Sequence, residues 1–341
     1  MKIPGRLKTL LYIETKSTNA AFHFSVEEFF METPRSEPLI MIWQANKCVM
    51  LGAHQVGFAE VNMNYAEEMG IQIVRRSSGG GAIFTDMGTL LYTMIQPYQK
   101  GQVQQIAKET IVTSVVNALK KMGVPAGFEG RNDILVDGKK ISGIAQYTRN
   151  GMLCTHGSLL YDTNLELLVN VLSVDDEKIR SKAIRSIRSR VTNIKEYLNI
   201  STQDFLESLK QNLLSEHKTQ EYILTANELT EINQICHNKY ENPSWTFGKT
   251  PKFSFSNSKR FPGGKVDIYI NTANGIVTSC AIHGDFLGTV PMGGLEEKLE
   301  NIMFQYQTFN SVLEKINLQP YIGDITKEQL LSCIFEQKEV E

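Results

Sequence analysis

A chain of 341 residues with 42% hydrophobic and 21% charged side chains has enough apolar surface to bury for two domains, one large and one small. Its net charge of −2 excludes a protein that grips nucleic acid through a basic surface, and no apolar run reaches the length of a membrane span. The opening MKIPGRLKTLLYIETKS lacks the long apolar core of a secretory signal. Five widely spaced cysteines (Cys48, Cys154, Cys236, Cys280 and Cys333), with no C-x-x-C pair, fit a reducing cytoplasm and argue against a disulfide framework or a structural zinc site. The expectation is a cytoplasmic protein with neither membrane nor nucleic-acid partners.

In chain order, residues 10–13 read as a first strand. Residues 20–31 read as a helix behind an N-cap signal at Ser17-Thr18-Asn19, with Glu27 and Glu28 on or near its polar face and His23 structural. Two strands over 39–43 and 48–52 follow, then a short helix over 62–69 stopped by Gly70 and a strand over 71–74. The stretch RRSSGGGAIFTDMGTLLYT, residues 75–93, runs from two arginines through three glycines to a turn signal at 85–88 and an apolar strand at 90–95. Strand, glycine triplet and strand predict a hairpin whose backbone lies close to a ligand. Glycines without a Cβ let peptide N–H groups press on a phosphate or acyl chain, and Arg75 or Arg76 would neutralise that phosphate.

Residues 102–122 have helical spacing and a stop at Gly123. GRNDILVDGKKISGIAQ, residues 130–146, predicts a hairpin with 134–136 as one arm, Asp137-Gly138 as the turn and 139–144 as the return. Residues 155–161 form a further strand, and 165–171, 195–197, 203–214 and 228–240 read as helical. Residues 242–251 are the best linker candidate. Beyond them, residues 253–255, 265–270 and 276–282 alternate like antiparallel strands, with a turn at Asn274-Gly275, and 295–304 and 327–335 read as helices.

Three motifs carry candidate chemistry. Asn132 and Asp133 enter a strand where an amide and a carboxylate suit Mg²⁺, phosphates or ribose, or simple turn formation. Successive strand side chains point to opposite faces, so only one of Lys139 and Lys140 faces a cleft. Lys140, on the face of Ser142 and beside the space left by Gly143, is the better placed. Its ammonium would stabilise charge developing between a carboxylate and an α-phosphate. Residues 176–194, DEKIRSKAIRSIRSRVTNI, hold Lys178, Arg180, Lys182, Arg185, Arg188 and Arg190; they read as a solvated face or as a basic loop closing over a nucleotide.

Taken together and in this order, RRSSGGGAIF, GRNDILVDGKKISGIAQ, HGSLLYD and RSIRSRVTNI resemble the lipoate–protein ligases of the biotinyl/lipoyl ligase superfamily, over nearly the whole chain. AAFHFSVEEFF and the late Gly284-Asp285-Phe286 are similar too. The resemblance implies an α+β fold: a mixed β-sheet flanked by helices as the catalytic domain over residues 1–246, and a small α+β accessory domain over 250–341. It also implies that free lipoate is activated by ATP, with Mg²⁺, to lipoyl-AMP. The lipoyl group would then pass to a lysine of a lipoyl carrier domain, such as a glycine cleavage H protein or a 2-oxoacid dehydrogenase acyltransferase subunit.

Carried over position by position, Lys140 is the catalytic residue, touching both ATP and the lipoate carboxylate. Arg76, Gly81, Ala82, Ile83, Phe84, Asn132, Asp133, Arg188 and Arg190 would bind ATP or the adenylate, with residues 186–192 in the adenylate-binding loop. Trp43, Gly79, Gly80 and His156 would line the lipoate tunnel, and Asp133 would meet the metal. One departure stands out: the family commonly carries His-Asp after GGGAIF, and this chain carries Thr85-Asp86. No histidine role transfers there, although residues 87–89 keep the turn.

Three rival readings remain. A biotin–protein ligase shares the N-D-I…K-K-x-x-G logic, but its phosphate loop interleaves glycine with arginine. An octanoyl- or lipoyl-transferase, acting from an acylated carrier without ATP, places a nucleophilic cysteine just before this hairpin, where residues 126–131 have none. Cys154, near His156, is expected to be a buried, inert thiol. A non-catalytic scaffold is disfavoured by the complete set Arg76, Asn132, Asp133 and Lys140.

Overall fold

The computed structural model describes residues 9–55, 57–99, 108–130, 132–172, 190–215, 217–247, 255–273, 275–304 and 306–335. The chain divides into two compact units. One comprises Met1–Met50, Val61–Val74 and Ile83–Asn242, the other Leu51–Glu60, Arg75–Ala82 and Pro243–Glu341.

Up to residue 221 the strands are β1 (Leu10–Ile13), β2 (Leu39–Trp43), β3 (Cys48–Leu51), β4 (Gln72–Arg75), β5 (Ile83–Thr85), β6 (Thr89–Pro97), β7 (Gly127–Glu129), β8 (Asp133–Val136), β9 (Lys139–Arg149), β10 (Met152–Leu160) and β11 (Thr219–Glu221). Eight of them form a mixed sheet in the order β11-β1-β2-β6-β10-β9-β8-β7. β11, β1 and β2 run parallel, and β2 with β6, β6 with β10 and β10 with β9 pair antiparallel. β10 is buried along its whole length and β6 along all but its last residue, as in a sheet covered on both faces. On one face Tyr92, Leu159 and Ile134 pack with Val115, Leu119, Phe205 and Leu209 of helices Thr113–Lys121 and Thr202–Ser215.

The other face is covered by α1 (Ala20–Glu32), whose N-cap Asn19 accepts from the Ala21 N–H at 3.0 Å. Glu27 does not lie on a polar face. It falls in the stripe Ala20, Phe24, Glu27, Met31, at helical spacing, and is 1% exposed.

Local turn chemistry sets the hairpin of β8 and β9: Asp137 (φ 51°) and Gly138 (φ 72°) both take left-handed backbone, as a two-residue primed turn needs. A register shift between Ile134 and Leu135 inserts an extra residue on β9, pairing Ile134 with Ser142 but Leu135 with Lys140. The expectation that Lys140 and Ser142 share a face is therefore corrected. Ser142 joins the buried Ile134 face and lies 3.4 Å from the Tyr92 hydroxyl, while Lys140 lies on the other face with Asp133.

The strands flanking the glycine triplet are not a hairpin either. β4 and β5 lie on opposite sides of β3, with β5 antiparallel to it, so the loop crosses from one edge of β3 to the other. Of the expected helix over 102–122, residues 102–107 lie outside the described residues. The rest is a π turn, Lys108–Val112, followed by Thr113–Lys121 and Gly123 at φ 87°.

In the second unit, β12 (Phe255–Phe261), β13 (Gly264–Ala273) and β14 (Ile276–Gly284) form an antiparallel sheet. Val266, Ile268 and Ile282 pack there with Leu295, Phe309 and Leu331 of helices Gly293–Leu299, Tyr306–Leu313 and Lys327–Phe335. The expected helix over 295–304 ends at Leu299. Asn301 takes φ 59°, and the chain turns back so that Met303 bridges Ile276 and the Phe304 N–H donates to Gly275 O. The linker candidate holds a short helix, Pro243–Phe247, and Asn274 and residues 248–254 lie outside the described residues.

Candidate active site

In the first unit, the β8–β9 hairpin presents Asp133 and Lys140 side by side, with Nζ 2.8 Å from Oδ1 and both side chains about one-third exposed. Gly143, opposite Asp133, leaves room for this lysine: a Cβ there would stand 3.1 Å from Lys140 Nζ. Asn132 turns its amide back into the hairpin, donating to Ile144 O at 3.3 Å. Residues 190–192 add a parallel bridge to the same edge. The Lys140 N–H donates to Arg190 O at 2.7 Å and the Thr192 N–H to Lys140 O at 3.1 Å. The end of the basic stretch is thereby tied to the backbone of Lys140. Arg188 and the rest of 173–189 lie outside the described residues. Lys139 is exposed and lines a separate groove with Thr163, Asn164, Thr192 and Tyr197.

On the α1 side of the sheet, His156 stands opposite Thr93 in register. His156 Nδ1 lies 3.0 Å from both carboxylate oxygens of Glu27, and Thr93 Oγ1 donates to Glu27 Oε1 at 2.7 Å. Trp43 Nε1 donates to that threonine at 3.2 Å, and the indole stacks on His23 with centroids 4.1 Å apart. Burial holds His23 down at about 4, so it is neutral and structural at physiological pH, as expected. Trp43 and His156 thus share one network, whose anchors Glu27 and Thr93 the sequence reading did not single out. The available signal was a carboxylate inside an apolar helical stripe.

In the second unit, the two arginines have divided roles. Arg75 is 5% exposed and its guanidinium donates to the carbonyls of Gly52, Ala53, Gln55, Trp245 and Thr246. Burial lowers its pKa to about 10, so it stays charged, and it clamps these carbonyls together. Arg76 shapes the glycine loop. Its Nη2 donates to Gly79 O and Gly81 O, each at 2.8 Å, and its Nε to Ser78 Oγ at 3.0 Å. The close approach that glycine permits is made here by protein backbone. A Cβ on Gly79 would meet Phe286 O at 2.8 Å, and the Gly80 N–H, at φ 93°, donates to Phe286 O. Gly81 and Ala82 belong to this unit, whereas Ile83 and the buried Phe84 start β5 in the first.

Thr85, the point of departure, is fully buried opposite Cys48, and its hydroxyl has no hydrogen-bond partner among the described residues. The turn after it is intact: Asp86 accepts from the N–H groups of Gly88 and Asn164, both at 2.9 Å.

All five cysteines are free and buried, and burial raises the thiol of Cys154 well above its usual range. Native protein is therefore expected to react with Ellman's reagent only on unfolding, when five thiols titrate. Rapid labelling of a native thiol would reopen a cysteine mechanism. Among the described residues, no helix is long and apolar enough to cross a membrane.

A mixed sheet flanked by helices, joined to a small three-stranded unit, is the fold of the lipoyl ligases. It superimposes on P. falciparum LipL1, solved in complex with lipoate, with a TM-score of 0.74 at 21% identity over 91% of this chain and 94% of that one. It also matches the bipartite lipoate protein ligase studied with its E2 lipoyl domain from Thermoplasma acidophilum, with a TM-score of 0.66 and 27% identity over 74% of this chain and all of that one. Residues 19–214 match the lipoyl protein ligase A/B catalytic domain and residues 250–334 the bacterial lipoate protein ligase C-terminus. Lipoate-protein ligase LplJ of Bacillus subtilis is 35% identical over 96% of this chain and 100% of its own length. A probable lipoate-protein ligase A of Mycoplasma pneumoniae is likewise 35% identical, over 97% and 99%. The chain belongs to the lipoate–protein ligase family.

Proposed function

We propose that the protein activates free lipoate with ATP and transfers the lipoyl group to a lysine of a lipoyl carrier domain. The observation that carries this reading is the Lys140–Asp133 pair on an accessible face of the β8–β9 hairpin, with Arg190 and Thr192 bonded to the same strand edge. In the first step a lipoate carboxylate oxygen attacks the α-phosphorus of ATP, the bridging P–O bond breaks, and pyrophosphate leaves. Lys140 is the point charge between carboxylate and α-phosphate, where negative charge builds up. The family resemblance assigns the nucleotide to Arg76, the backbone of Gly81, Ala82, Ile83 and Phe84, Asn132, and Arg188 and Arg190, and the acyl chain to Trp43, Gly79, Gly80 and His156. In the second step the neutral amine of the carrier lysine attacks the acyl carbon and AMP departs. No side-chain nucleophile is needed, because orientation and electrostatics lower the barrier.

Asp133 offers a single carboxylate, one oxygen of which already faces Lys140. That donor set fits Mg²⁺ delivered with nucleotide phosphates and does not fit a resident ion held by protein alone. When bound, the ion would neutralise phosphate charge beside Asp133. The carrier is an H protein or a 2-oxoacid dehydrogenase subunit, and the five free buried thiols support a reducing, cytoplasmic setting. With ATP, Mg²⁺ and lipoate, pyrophosphate release is expected to depend on lipoate. Its absence would overturn the proposal, and lipoyl transfer from an acylated carrier without ATP would favour the transferase reading.

A further inference from the structure

The buried face between α1 and the sheet holds a second constellation, which overlaps the residues assigned above at His156 among its ligand atoms and at Trp43 behind them. Glu27 of α1 and Cys154 and His156 of β10 each present a ligand atom, and these atoms all lie within 4.8 Å of one another. Cys154 and His156 are alternate residues of one strand and so project to the same face, toward α1. None of the three is more than 7% exposed. Spacing alone conceals the group, since residue 27 is far from 154 in the chain and no C-x-x-C marks it.

We propose that Glu27, Cys154 and His156 form a three-ligand site for a divalent cation of the zinc type. The donor set of thiolate sulfur, imidazole nitrogen and carboxylate oxygen is the one such borderline cations select, and three protein ligands leave a fourth position for water or another donor. Charge favours it as well: a thiolate and a carboxylate together balance a doubly charged ion beside a neutral imidazole, so no net charge is buried. A second layer is already in place. Thr93 Oγ1 donates to Glu27 Oε1 and Trp43 Nε1 donates to Thr93 Oγ1, which fixes the carboxylate as outer partners fix metal ligands. On binding, the S–H bond of Cys154 breaks, a metal–sulfur bond forms, and one proton passes to solvent.

The test is to strip the full-length protein with chelator, keep it reduced with a phosphine, and titrate Co²⁺ to constant absorbance. One equivalent is expected, with a near-ultraviolet thiolate-to-cobalt charge-transfer band, release of one proton, and displacement by Zn²⁺. Cys154→Ser should abolish the band, and Thr93→Val should weaken Zn²⁺ affinity by about 10- to 100-fold at unchanged stoichiometry. A band that persists in Cys154→Ser would place the metal elsewhere and overturn the proposal. Should that variant not fold, the wild type decides alone: saturation with Co²⁺ that yields neither band nor proton release overturns it equally.

Discussion

Lys140→Ala is expected to lower lipoate-dependent pyrophosphate release by about 100- to 1,000-fold, the usual cost of removing one preorganised charge-stabilising group. Lys139→Ala should retain most of the activity. The two lysines are neighbours in sequence with the same chemistry, so only their placement separates them. The bulge in the β8–β9 hairpin assigns Lys140 to the face of Asp133, while Lys139 is exposed beside Thr163 and Asn164. Lys140→Arg is expected to rescue poorly. The space that glycine leaves at position 143 suits the narrow end of a lysine, and a planar fork is wider. Initial rates of pyrophosphate release for the three variants check this, and a severe loss in Lys139→Ala with an active Lys140→Ala would mean that the wrong face carries the chemistry.

Arg75→Ala is expected to be the most damaging single change to stability, by about 3 kcal/mol or more. Its guanidinium satisfies carbonyls of Gly52, Ala53 and Gln55 on one segment and of Trp245 and Thr246 on another. Removing it leaves several of these buried acceptors unpaired, each a desolvation cost in its own right. The contact is also reciprocal, since Trp245 Nε1 donates to Arg75 O at 2.9 Å. Arg75→Lys should recover little, because three donors on one nitrogen cannot reach five carbonyls spread over a fork. The shift in urea midpoint of the full chain measures the loss. A change within the scatter of surface substitutions would show that the clamp is dispensable.

Much of the architecture was legible because local signals agreed with the global fold. Asp137-Gly138 announced its turn, the apolar runs over 90–95 and 155–161 announced central strands, and Gly123 announced a helix stop. What escaped was what depends on partners distant in sequence. The crossing of the glycine loop from one edge of β3 to the other cannot be read from strand–glycine–strand, which looks the same in a hairpin. The bulge that separates Lys140 from Ser142 is a one-residue matter of pairing. Glu27 looked like half of a polar Glu27-Glu28 pair, and only the arrival of His156 and Thr93 from the sheet explains its burial. Arg75 and Arg76 are adjacent and equally basic, yet one bonds backbone carbonyls of two separate segments and the other braces its own glycine loop.

The proposed reaction, an amide formed on a carrier from free lipoate and ATP, is read by intact-mass measurement of a purified lipoyl domain incubated with the protein, lipoate and Mg²⁺. The carrier should gain the mass of one lipoyl group only when ATP is present, and a carrier whose acceptor lysine is replaced by arginine should gain none. An unmodified wild-type carrier in the presence of ATP, or equal modification without it, would contradict the claim.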